Sequence, residues 1–266
     1  MNSFTGYLWL VPLGFGVGAF GSLIGAGGGF ILVPTLLLLY PKEPAETITS
    51  VSLIVVFFNA VSGSVAYARA KRIDYKTGLI FAVAATPGSV LGAFATAAID
   101  RKRFDLLFGI LMSICSVVLL IRPARQKSPG AGDRVPSAIP RLSFAKLALG
   151  TTLSTGLGFL SSFLGVGAGF IYVPAFIYIL DFPVHAATAT SLFTLAVMSF
   201  SGALTHLFAG LLHHGLNLAL ILAPAVILGA QFGARLSRHI HGDWIVRGLA
   251  LALGLVGLRF VFEAWQ

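Results

Sequence analysis

Residues 25–34 read GAGGGFILVP, inside a stretch with no charged side chain between Met1 and Lys42. In a helix interior each glycine costs about 0.8–1.0 kcal/mol relative to alanine. The surroundings are nevertheless apolar enough to lie in a bilayer, where helix is almost the only backbone permitted. Residues 165–174, GVGAGFIYVP, write the same pattern again. Seven of the ten positions are identical, three Gly followed by Phe, Ile, Val and Pro. A chain that twice places its weakest helix formers in its most apolar surroundings poses the question on which its fold turns.

The rest of the composition sets the class. Of 266 residues, 57% are hydrophobic and 10% are charged, where a soluble domain carries about 25% charged. The mean hydropathy is +0.92. This is the composition of a polytopic membrane protein. The net charge of +9 does not point to nucleic acid. Its basic residues cluster in short loops between apolar spans, the pattern that orients membrane proteins, and leave no face to read a groove. The one cysteine, Cys115, lies within a span and reads as a small buried hydrophobe, with no disulfide or thiolate metal site available. Residues 1–6 lack the Lys or Arg of a signal-peptide n-region, so an uncleaved first helix is expected.

Apolar stretches long enough to span fall near residues 7–40, 47–68, 76–97, 104–121, 143–180, 187–211, 216–236 and 244–262. The first and fifth are too long for one straight crossing of about 20 residues, and both hold the glycine pattern. The expected fold is all-α, about eight transmembrane helices in two homologous repeats. The first helix of each repeat is expected to be broken or re-entrant at its glycines. The division is residues 1–121, a polar linker at 122–142 that reads as disordered, and residues 143–266. Beyond the glycines, Thr49-Ser50 echoes Thr190-Ser191, Ser62-Gly63 echoes Ser201-Gly202, and Pro87 with Gly92-Ala93 echoes Pro224 with Gly229-Ala230. Glycines at four-residue spacing (Gly14/Gly18, Gly88/Gly92, Gly229/Gly233) read as close helix packing. Gly16, Gly18 and Gly21 match a dinucleotide fingerprint by spacing alone, since that motif needs a preceding strand and a βαβ unit.

A helix interrupted at membrane depth leaves backbone groups unpaired, each costing several kcal/mol unless protein or a cavity satisfies it. A helix restarting after such a gap presents free N–H groups at the positive end of its dipole, an anion site. Glycines leave these donors bare. The expected site is therefore Gly25, Gly27, Gly28 and Gly29 with Gly165, Gly167 and Gly169, the two helix starts facing each other. Span interiors hold no well-placed Asp or Glu, so the remaining lining is neutral: Thr49, Ser50, Asn59, Thr190, Ser191 and Gln231. Hydroxyls and amides suit an anion better than a cation. For His206 two readings stand open, a group titrating near neutral pH and a solvated residue at a membrane face. Arg235 is expected to snorkel, and the adjacent His213-His214 to be solvated rather than a metal pair.

The stretches GSLIGAGGGFILVPTLLLL from Gly21 and SSFLGVGAGFIYVPAFIYIL from Ser161, with the Thr-Ser pairs and the Pro87/Pro224 segments, resemble the sulfite exporter TauE/SafE family of bacterial membrane transporters. The resemblance covers essentially the whole chain. It implies a multi-pass carrier of the bacterial inner membrane that moves anions such as sulfite and organosulfonates. The function expected is secondary transport of a small oxyanion by alternating access between two repeats. An anion channel and a carrier of another anion, such as a carboxylate, are the alternatives. Enzymatic activity and cofactors are not expected. Expected partners are the anionic substrate, a coupled proton or sodium ion, the lipid bilayer and a second copy of the chain.

Charge also bears on topology. With four simple crossings per half, the best arrangement sets eleven Lys/Arg inside against seven outside. If each glycine break reverses the chain, five segments per half give inverted repeats and thirteen against five. Phe30–Tyr40 as helix is about 17 Å long, too short to cross, which favours a re-entrant half-helix. Arg101, Lys102 and Arg103 fall outside in both arrangements, against the rule.

Overall fold

The computed structural model describes residues 9–121, 143–210, 215–237, 239–240 and 242–265; the linker 122–142 and His213-His214 lie outside the described residues. Ten helices and no strand occur among these residues: α1 (Leu10–Ile24), α2 (Gly29–Leu39), α3 (Ala45–Arg69), α4 (Tyr75–Ala97), α5 (Arg101–Ile121), α6 (Phe144–Leu164), α7 (Gly169–Tyr178), α8 (Val184–Phe208), α9 (Leu216–Leu236) and α10 (Gly242–Trp265). Six of them, α3, α4, α5, α6, α8 and α9, are long and apolar enough to cross a membrane. α1, α2 and α7 are shorter apolar helices. Counting α1–α2 and α6–α7 each as one interrupted unit gives eight units along the chain.

The outer surface is apolar. Leu91, Leu228, Leu255 and Phe262 are exposed, while Ser, Thr and Asn side chains are buried within, as befits a molecule whose surroundings are hydrocarbon. With no hydrophobic drive between helices, close approach comes from small residues. A methyl group on Gly88 or Gly92 of α4 would overlap the carbonyls of Thr155 or Phe159 on α6. A methyl on Gly229 or Gly233 of α9 would overlap those of Phe15 or Ala19 on α1. The four-residue glycine pairs are packing surfaces, as read from the sequence.

Helix directions follow from which residues meet. α4 and α6 run in the same direction, Phe81 against Gly150 at one end and Thr96 against Phe163 at the other. α1 and α9 do likewise, Gly14 against Leu222 and Ala19 against Gly233. α3 and α8 run oppositely, with Ser50 bonded to His206 and Gly63 against Leu192. So do α5 and α10, with the Phe108 ring tilted against that of Phe260 and Ser116 bonded to the Ala250 carbonyl. Exchanging α1–α5 for α6–α10 carries each of these pairings onto another or onto itself.

One expected correspondence shifts. α3 and α8 are both 25 residues long, so the fifth residue, Thr49, is matched by Thr188 rather than Thr190. The contacts agree: Thr49 presses on Gly165 and Thr188 on Gly25. The sequences TSVS and TATS each hold hydroxyls two apart, so an alignment slips by two residues without losing its Thr-Ser match.

Candidate functional site

α1 ends at Ile24 because the chain enters the left-handed region at Gly25, with φ 85° and ψ 14°. The amides of Gly25, Ala26 and Gly27 then all turn onto the Gly21 carbonyl, at 2.9, 2.9 and 3.3 Å. Gly28 (φ 78°) precedes the restart at Gly29. The break reverses the chain: Gly28 returns to lie against the Val17 carbonyl and Gly21 of α1. α2 then runs back to the end where Arg101 meets its Leu37 carbonyl. At 11 residues, α2 is about 17 Å long, a half-helix.

The second break is built alike in outline. α6 ends at Leu164, Gly165 takes φ 68° and ψ 11°, and α7 restarts at Gly169. The two breaks cross backbone on backbone. The position of a Gly29 Cβ falls on the Val166 carbonyl, and that of Gly169 lies 2.7 Å from the Gly25 carbonyl and 2.8 Å from Ala26 Cα. All residues from 24 to 30 and from 161 to 170 are buried. Val56 of α3 and Leu195 of α8 close the crossing, both against Gly27 and Gly167.

At this crossing several amides bond to no acceptor among the described residues: those of Gly28, Gly29 and Phe30 in the first break, and of Gly165, Val166, Gly167, Ala168 and Phe170 in the second. Buried donors without acceptors are costly, and here they cluster where two helix N-termini converge. Asn59 adds a side-chain donor. Its Oδ1 accepts from the Ser22 hydroxyl at 2.7 Å, while its Nδ2 lies against Gly21 and Gly28 with no partner. Ser191 donates to the Gly25 carbonyl at 2.7 Å and so ties α8 to the first break.

The seven glycines, Asn59, Ser191 and Thr49 are thus brought together. Thr49 reaches Gly165 through its backbone and methyl, its hydroxyl being donated to the Glu46 carbonyl. Ser50 follows it but turns to His206. Thr190 stands apart, accepting from the Asp74 amide at the start of α4. Gln231 also stands apart, donating to the Ser62 carbonyl and hydroxyl at 2.7 and 3.0 Å as a staple between α3 and α9. His206 is not at a solvated face: it is 1% exposed. The sequence reading missed the hydroxyls one turn before each break. Ser22 bonds Asn59, and Ser162 shares a 2.7 Å bond with Ser89, which also accepts from Ser201 at 3.2 Å. Both serines stand three residues before the first glycine of their motif, a spacing that could have flagged them. Tyr67, likewise missed, donates its one hydroxyl hydrogen to the Ser22 carbonyl, and its oxygen lies 2.8 Å from the Ser237 hydroxyl.

Arg101 accounts for part of the misplaced positive triplet. Its guanidinium donates to the Leu37 and Glu43 carbonyls, both at 2.7 Å, and pairs with Asp105 at 3.1 Å. A cation at the end of α2 meets carbonyls that have no intrahelical donor, so Arg101 serves the fold.

A family model described as "Sulfite exporter TauE/SafE" matches residues 10–260. The chain is 31% identical to the probable membrane transporter protein YunE of Bacillus subtilis, over 97% of this chain and 98% of that protein. It is 26% identical to a probable membrane transporter protein of Methanocaldococcus jannaschii over 95% and 96% of the two chains. A third, from Xylella fastidiosa, is 28% identical over 95% and 92%. No solved structure matches the chain. Helices long and apolar enough to span, breaks that meet in the buried interior and a match across nearly every residue lead to one assignment: the chain belongs to the TauE/SafE sulfite exporter family of membrane transporters.

Proposed function

We propose that the protein is a secondary transporter of small oxyanions, sulfite or an organosulfonate, and that the crossing of the two breaks is where the anion docks. The observation that carries this reading is the cluster of unbonded amides at the crossing, joined by the unpartnered Nδ2 of Asn59. Donors without acceptors, aimed from two helix N-termini and set among neutral hydroxyls, suit a ligand that brings negative charge and several acceptor oxygens. The donors are all neutral, so a small anion can leave as well as enter.

The halves, residues 1–121 and 143–266, act as two inverted repeats. α3 and α8, like α5 and α10, run antiparallel at matching positions, the arrangement in which rocking one repeat against the other alternates access around a central site. In the present state Val56 and Leu195 cover the crossing, which corresponds to a closed conformation. No ATP-binding motif is present in the sequence, so the movement is driven by an ion gradient or by the substrate's own.

The test is uptake into proteoliposomes of labelled sulfite, with sulfate, sulfoacetate, taurine and carboxylates as competitors. Saturable sulfite uptake with counter-transport is expected. Gly28→Leu and Gly169→Leu should remove it while the protein stays in the bilayer. Full uptake by both variants would end this reading, and flux without saturation or counter-transport would turn it into a channel.

A further inference from the structure

His206 is the 23rd residue of α8, and Tyr67 is the 23rd residue of α3. The two therefore hold the same place beside the two breaks. Tyr67 donates its hydroxyl hydrogen to the Ser22 carbonyl at 3.0 Å, one turn before Gly25. The residue matching Ser22 is Ser162, three before Gly165, and it packs against Gly202, one turn before His206 on α8. At this place the first half has a permanent donor and the second half an imidazole.

The hydrogen bonds fix which nitrogen of that imidazole carries the proton. Ser50 Oγ lies 2.6 Å from the Glu46 carbonyl and 2.7 Å from His206 Nδ1. A carbonyl can only accept, so the single hydroxyl hydrogen goes to Glu46. Ser50 then accepts from Nδ1–H. Nε2 is left with a lone pair and, at 1% residue exposure, no partner. Ser50 follows Thr49, which presses on Gly165, so the imidazole is joined to the second break through α3 as well.

The charges around it sit in the turns and at the helix ends. The ionisable groups near this end are Lys42 and Glu43 in the turn before α3, Glu46 on α3, Asp100, Arg101, Lys102, Arg103 and Asp105 at the start of α5, and Arg259 on α10. α4 carries none between Lys76 and Asp100, and α1 carries none. Lys146 of α6, Arg235 of α9 and Tyr172 and Tyr178 of α7 belong to the other end. Arg101 is already engaged with Leu37, Glu43 and Asp105. Ser50 is five residues from the start of α3, about 7.5 Å along the helix, within reach of a proton from the Glu46 face.

We propose that His206 binds the coupling proton of transport at Nε2, and that the resulting Nε2–H bonds the Ser162 carbonyl as Tyr67 bonds that of Ser22. This rests on the oxyanion reading above. A proton from water at the Glu46 face forms the new N–H bond. The imidazolium so formed offsets the charge of an anion docked at the amides, so proton and anion travel together. With Nε2 bare, the second break lacks the clamp that the first always has.

The test follows sulfite and protons together in proteoliposomes carrying an internal pH dye, with His206→Gln and Ser50→Ala beside the wild type. The wild type should move protons inward with sulfite, and an inward-acid gradient should slow its uptake. His206→Gln should lose sulfite-driven proton movement and its gradient response, and any sulfite exchange that remains should not depend on pH. Nitrogen NMR of histidine-labelled wild type should show Nδ1–H at neutral pH and proton gain at Nε2 when sulfite is added. Where His206→Gln does not fold, Ser50→Ala and the NMR signature decide. Wild-type sulfite transport without proton movement, unchanged coupling in His206→Gln, or an Nε2–H tautomer overturns the proposal. Absence of transport for any anion in the wild type overturns the oxyanion reading beneath it, and this proposal with it.

Discussion

The two glycine breaks share seven residues in ten, yet they hold their amides differently. In the first, the amides of Gly25, Ala26 and Gly27 all fold onto the Gly21 carbonyl. In the second, those of Gly165, Val166 and Gly167 bond to nothing among the described residues. The residue before each restart differs to match. Gly28 takes φ 78°, and Ala168, which has a Cβ, stays at φ −67°. The first break is also braced by Tyr67 and Asn59, the second by the Ser89–Ser162–Ser201 hydroxyls. Near-identical sequence has thus produced one break that closes on itself and one that keeps its donors free. On the proposed reading, an anion takes more of its hydrogen bonds from the second.

That comparison can be broken most directly at the crossing itself. Gly29→Ala and Gly169→Ala each push a methyl into the backbone of the other break, and both should bring sulfite uptake to background. Gly156→Ala, with nothing within 4 Å of the new methyl, should leave uptake unchanged. Equal uptake by all three would show that the crossing is not tight. Next, Asn59→Leu removes the acceptor of Ser22 together with the free Nδ2. A buried polar group left unpaired costs about 1–3 kcal/mol, so sulfite affinity should fall by tenfold or more. Ser89→Ala, within the other break's brace, should change affinity less than threefold.

A smaller effect separates site from scaffold. Gln231→Leu cuts the bond to Ser62 and should lower stability by about 1 kcal/mol, read as a shift in thermal unfolding, with the sulfite KM unchanged. A raised KM would return Gln231 to the site. Least of all, Lys146→Ala deletes an ion pair with Asp181 in which both partners are well exposed. Such pairs are worth about 0–1 kcal/mol, so uptake and unfolding temperature should hardly move.

The breaks were legible in the sequence because clustered glycines weaken a helix just where an apolar run most needs one, and the repetition of Phe-Ile-x-Val-Pro marked both. The reversal of the chain was one of two topologies left open by the charge counts and the short reach of Phe30–Tyr40. What stayed hidden were partners far along the chain. Ser62 and Gln231 are 169 residues apart, Asp74 and Thr190 116, and Ser50 and His206 156. A hydroxyl or amide in an apolar span reads alike whether it meets a ligand or staples a neighbouring helix. Only packing tells Asn59 from Gln231. The two-residue slip between Thr188 and Thr190 has the same origin, since both match the local pattern and only one touches a glycine of the breaks.

The guanidinium of Arg101 has a mechanical consequence. It rivets the far tip of α2 to the Glu43 turn, whereas the near tip starts at the left-handed Gly28 and is held only by packing against Val17 and Val166. Any swing of this half-helix is therefore a lever stroke pivoting at Arg101, greatest where Gly28 and Gly29 stand. A half-helix pinned at one tip moves its other tip furthest for the smallest turn.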